Sequence, residues 1–171
     1  IPSVGFAAGD LELTASNVPR IQVDDLRHTV PLGDLGNNGT ADAGLLAPSL
    51  LTLLNDNSFS TSKVLNLKEN SVAESAAHGD FNGDGKSDLA IQTGSGTIDI
   101  FFDVNSKQSL TVPDESVSAS GDTSMVRLTS IRSIDLNIDG IDDLVVTDTV
   151  GNVFFLYGSR GHEEIGEKTE V

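Results

Sequence analysis

The chain has no cysteine and no tryptophan, and only one methionine and one tyrosine. Without cysteine there are no disulfides, thiolate metal sites or cysteine nucleophiles, so a protein of this kind in an oxidising compartment needs another staple, and bound metal is the obvious candidate. Basic residues are scarce: 10 Lys+Arg against 26 Asp+Glu give a formal net charge of −16. Such a charge repels phosphate backbones and anionic headgroups, which argues against nucleic acid and membrane surfaces as partners. No apolar run approaches the roughly 18 residues of a membrane span, so no membrane insertion is expected. No basic segment followed by an apolar one reads as a signal peptide. The chain opens at Ile1 and its only methionine is Met125, so that last absence says little. Apolar spacing of three and four nowhere persists over about 11 residues, which leaves little room for amphipathic helices.

What is present is aspartate. There are 18 Asp to 8 Glu, although Glu is the better helix former and Asp prefers turns and cation loops. The 171 residues suffice for one domain or a short repeat array. Three segments align: GDLGNNGTADAGLL at 33–46, GDFNGDGKSDLAI at 79–91 and IDLNIDGIDDLVV at 134–146. Each is followed by apolar, β-branched residues, a small-residue break and a second apolar run. In 98–104, Ile98, Ile100, Phe102 and Val104 alternate with Asp99, Phe101 and Asp103, the period-two pattern of a half-buried strand. The pattern predicts an all-β protein of antiparallel repeats, about three in number, each of three or four short strands with one acidic loop. The expected divisions are an N-terminal strand segment at 1–19, repeats at 20–69, 70–118 and 119–158, and a charged tail at 159–171, either a frayed end or an edge strand.

In the second loop Asp80, Asn82, Asp84 and Asp88 occupy positions 1, 3, 5 and 9, with Gly85 at position 6. The third loop repeats this with Asp135, Asn137, Asp139, Asp143 and Gly140. Alternate oxygen-bearing residues around a tight turn converge on one point, and the position-7 carbonyls, of Lys86 and Ile141, can join them. Hard oxygen donors without His or Cys select Ca²⁺. An EF-hand would close with Glu at position 12, where this chain has Leu45, Ile91 and Val146. The first loop keeps Asp34, Asn38, Gly39, Thr40 and Asp42 at positions 1, 5, 6, 7 and 9 but has Gly36 at position 3. It reads either as a weaker cation site or as a vestigial turn. Surface turns with solvated carboxylates are the alternative for the second and third loops.

The pattern D-x-N-x-D-G-x-x-D-L followed by apolar strands resembles the FG-GAP and VCBS repeats, and LLTLLNDNSF at 50–59 is similar to the strand-plus-turn ending of a VCBS unit. The resemblance covers roughly residues 20–160. It implies β-propeller-type blades, Ca²⁺ held in a loop between strands, and an extracellular or cell-surface role in adhesion, ligand binding or scaffolding. Closed propellers typically need about four to eight blades. About three blades therefore imply a fragment, an open array, or completion by neighbouring subunits, with a homo-oligomer or filament as the expected partner. The other expectation is a propeller-type binding module for an extracellular protein or carbohydrate.

Nothing points to catalysis. His28, His78 and His162 hold no repeated place, and His78 is expected at a surface or an interface. The run TGSGT at 93–97 is neither a nucleophile elbow nor a phosphate loop. Asn38-Gly39-Thr40 is a formal glycosylation sequon inside the first loop, where a sugar and a cation would compete.

Overall fold

The computed structural model describes residues 28–54, 62–68, 73–93, 96–118, 128–160 and 169–170. The N-terminal strand segment expected at 1–19 lies outside them. Among the described residues every regular element is a β-strand, and the strands form three four-stranded antiparallel sheets.

The first sheet is a meander of β1 (His28–Gly33), β2 (Asp42–Ala47), β3 (Leu50–Leu54) and β4 (Ser62–Asn66). In the second, β5 (Ala73–Gly79), β6 (Asp88–Thr93), β7 (Thr97–Phe101) and β8 (Glu115–Ser118) follow in the same order. The third holds β9 (Leu128–Ile134), β10 (Asp143–Asp148) and β11 (Val153–Leu156), with β12 (Thr169–Glu170) paired to β11. Each sheet is a blade-like repeat, and in each the acidic turn joins the first strand to the second.

The hydrophobic residues divide into two cores, one at each joint between sheets. Leu89, Ile91 and Phe101 of the second sheet pack with Leu32, Leu46, Leu51, Leu53 and Leu65 of the first. Ala90, Ile98, Ile100 and Phe102 face the other way, onto Ile131, Leu144, Val146 and Phe154 of the third. Successive residues of a strand point to opposite faces, so the middle sheet is buried on both. This corrects the half-buried reading of 98–104. Asp99 is buried too, and its carboxylate accepts the hydroxyls of Thr93 at 2.8 Å and Ser116 at 2.6 Å. The strand also stops at Phe101 because Asp103 turns the chain with φ 48°.

First strands pack on first strands, with β5 between β1 and β9. All three acidic turns, each leaving the end of such a strand, therefore emerge on one side of the array. At the outer edge the first two sheets are tied by the parallel bridge Leu67–Leu110 and by Lys63, whose ammonium donates to the Asn105 carbonyl at 3.0 Å.

Candidate metal centre

All three turns fold by the same internal code. The position-1 aspartate accepts the N–H groups of positions 5 and 6 on its two carboxylate oxygens. Asp34 holds Asn38 and Gly39, both at 2.8 Å. Asp80 holds Asp84 at 3.1 Å and Gly85 at 2.8 Å, and Asp135 holds Asp139 at 3.2 Å and Gly140 at 3.0 Å. Position 5 then accepts the N–H of position 7: Thr40 to Asn38, Lys86 to Asp84 and Ile141 to Asp139, each at 2.9 Å. The Thr40 hydroxyl also donates to Asn38 Oδ1. At position 3, Asn82 and Asn137 accept the N–H of Asp84 and Asp139 at 3.0 and 3.1 Å, a brace that Gly36 cannot supply. The glycines at position 6 have φ of 82°, 78° and 85°, left-handed backbone that glycine adopts without strain.

The position-9 aspartates are buried, and those of turns 2 and 3 tie the turn to the rest of its blade. Asp88 accepts the N–H of Phe81 on one oxygen and that of Asp103 on the other, both at 2.9 Å. Asp143 does the same with Leu136 and Gly158, again at 2.9 Å. Asp42 accepts Gly36 N–H at 2.7 Å, while its buried Oδ1 has no hydrogen-bond partner among the described residues. Burial pushes the Asp88 carboxyl up to about 6 against the help of its two N–H donors. Lys86 reaches Asp103 at 3.2 Å and Asp84 at 3.7 Å, which raises its own pKa and lowers that of Asp103.

The expected ligands of each turn thus lie on one nine-residue loop. In kind they fit a hard divalent cation, with carboxylates, an amide oxygen and a backbone carbonyl within nine residues. A carboxylate offers about four acceptor sites, so two N–H bonds leave lone pairs for a metal. Among the described residues, however, no three acidic or histidine side chains draw together as a ready metal cluster.

Sequence reasoning missed the residues that join turn to turn. The apolar residue at position 2 is covered by the following sheet in two cases: Leu35 is 0% and Phe81 1% exposed, against 38% for Leu136. The Leu35 carbonyl accepts the Asn105 amide at 2.8 Å, and the Phe81 carbonyl accepts Ser159 N–H at 3.2 Å. Leu, Phe and Leu at one place in three repeats was the available signal. His78 is half-buried in β5 beside Gly33. Burial lowers its pKa, opposed by the charges of Asp142, Asp42 and Asp34. His28 is exposed at the start of β1, and His162 lies outside the described residues.

Three adjoining four-stranded antiparallel sheets, each with an acidic turn after its first strand, define a blade-type β repeat protein. Residues 72–101, which run from the start of β5 through β7 and contain the second turn, match the family model of the FG-GAP repeat. No curated protein matches the chain. FG-GAP repeats are binding and structural units rather than catalytic ones and are typical of extracellular domains. Among the described residues no helix is long and apolar enough to cross a membrane.

Proposed function

We propose that the chain is a calcium-stabilised extracellular repeat module with a structural or adhesive role, assembling with copies of itself. The observation that carries this reading is the acidic turn braced by its position-1 aspartate, present three times on one side of adjoining sheets. FG-GAP repeats of integrins commonly hold Ca²⁺. Here Asp80, Asn82, Asp84, Asp88 and the Lys86 carbonyl would hold one ion, and Asp135, Asn137, Asp139, Asp143 and the Ile141 carbonyl a second. Asp34, Asn38, Asp42 and the Thr40 carbonyl form a poorer set. A bound ion supplies charge neutralisation inside the turn. Self-assembly is supported by Ile134, Leu136 and Ile138, which are exposed among the described residues of the third blade. Exhaustive chelation tests the calcium reading: the melting temperature should fall, since a site filled about a hundredfold above its Kd contributes about 2.7 kcal/mol. An unchanged melt refutes it.

One observation favours a second reading, a propeller-type binding module for a protein or carbohydrate. A polar cavity of about 240 Å³ opens between the first two turns, lined by Asp34, Asn37, His78, Lys86 and Asp142 among others. Sedimentation in Ca²⁺ separates the two: regular assemblies support the structural role, and a small monodisperse species at high concentration selects the binding module.

A further inference from the structure

Asp142 stands at position 8 of the third turn, a place the acidic pattern leaves open. Its carboxylate reaches the neighbouring blade, where Oδ2 accepts the N–H of Asp80 at 2.9 Å. The Asp142 N–H in turn donates to the Asp80 carbonyl at 2.9 Å. Both main-chain groups of the first acid in turn 2 are therefore held by turn 3. The joint has no slack: a Cβ on Gly79 would lie 2.8 Å from both Asp142 Cβ and Oδ2, and 2.7 Å from Ser133 Oγ. Turns 1 and 2 lack a counterpart. Position 8 of turn 2 is Ser87, and among the described residues no hydrogen bond links it to Asp34.

Asp142 lies between Ile141 and Asp143, positions 7 and 9 of its own turn, so whatever orders turn 3 also fixes Asp142. We infer that Asp142 is a positioning residue that couples turns 2 and 3, so that they fill with calcium as a cooperative pair while turn 1 fills independently. This rests on the calcium reading above. Coupling is reciprocal: calcium in either turn raises the affinity of the other by the same factor.

The test uses the full chain, titrated with Ca²⁺ and followed by the NMR amide signals of Gly85 and Gly140, which report turns 2 and 3 separately. Asp139→Ala, which removes a turn-3 ligand, should lower the affinity of turn 2 by about fivefold or more. Asp142→Ala should cause that loss by itself, and adding Asp139→Ala to it should cost turn 2 nothing further. Asp142→Asn keeps an acceptor oxygen for Asp80 N–H and should restore the coupling, a rescue that loss of packing alone would not allow. If Asp142→Ala fails to fold, Asp139→Ala in the native background still decides. A turn-2 midpoint untouched by Asp139→Ala overturns the coupling and leaves calcium binding intact. If neither glycine signal responds to calcium, the calcium reading fails and the coupling falls with it.

Discussion

Position 4 of each turn has left-handed backbone, with φ of 49° at Asn37, 69° at Gly83 and 60° at Ile138. Asparagine and glycine suit that region, whereas a β-branched residue is an outlier there. The cost for an L-residue in this conformation is about 1–2 kcal/mol. Burial does not repay it. Ile138 is 88% exposed, so it collects only about a tenth of the roughly 1.5–3 kcal/mol that full burial of such a side chain is worth. Ile138→Asn should therefore stabilise the chain by about 1 kcal/mol, which for this size raises Tm by about 2–4 °C. Ile138→Gly should gain less, because glycine also frees the unfolded chain. Thermal unfolding by circular dichroism in excess chelator, at a concentration where the chain is monomeric, removes both metal and assembly from the comparison. Val112→Asn is the control, since Val112 is 77% exposed and is not among the positive-φ residues. If Ile138→Asn melts no higher than the native chain while the control is neutral, the strain argument is wrong.

Gly158→Ala should destabilise by at least about 2 kcal/mol in denaturant titration, because its Cβ would lie 2.4 Å from the Asp142 carbonyl oxygen and 2.9 Å from that of Phe81. The increment in Tm that calcium confers should shrink more for Asp84→Ala than for Asn38→Ala, both at position 5, since affinity follows ligand charge and number; equal losses would show that turn 1 is no poorer a site. The raised Asp88 carboxyl, at about 6 against 3.8, makes the native state bind the extra proton. Its contribution in chelator is fully present below about pH 3.8 and is lost as pH rises through about 6, a change of about 3 kcal/mol at most. Asp88→Asn should flatten that part of the pH profile, measured as denaturation midpoints between pH 4 and 7; an unaltered profile would assign it to other groups.

The periodicity of 98–104 and the repeated acidic segments made the all-β architecture and the turns legible, because strand pairing and turn chemistry are local. The outer strands were harder to read. Ser62–Asn66 and Glu115–Ser118 lie at sheet edges with little apolar content, so they carry no strong alternation. The grip of Asp142 on Asp80 joins residues 62 apart, and the Asp88 and Asp143 bonds to Asp103 and Gly158 each span 15. Such partners depend on register and on how sheets pack, which no local pattern encodes. The left-handed backbone at Ile138 was not legible either, since its residue type argues against the conformation that the turn imposes.

The burial of Leu35 beside a first turn that lacks an oxygen ligand at position 3 separates two tasks that share nine residues. Odd positions carry the oxygens, while position 2 of the first two turns and position 8 of the third carry joints between blades. A repeat is then free to lose its ion by drift at an odd position and still lock to its neighbour.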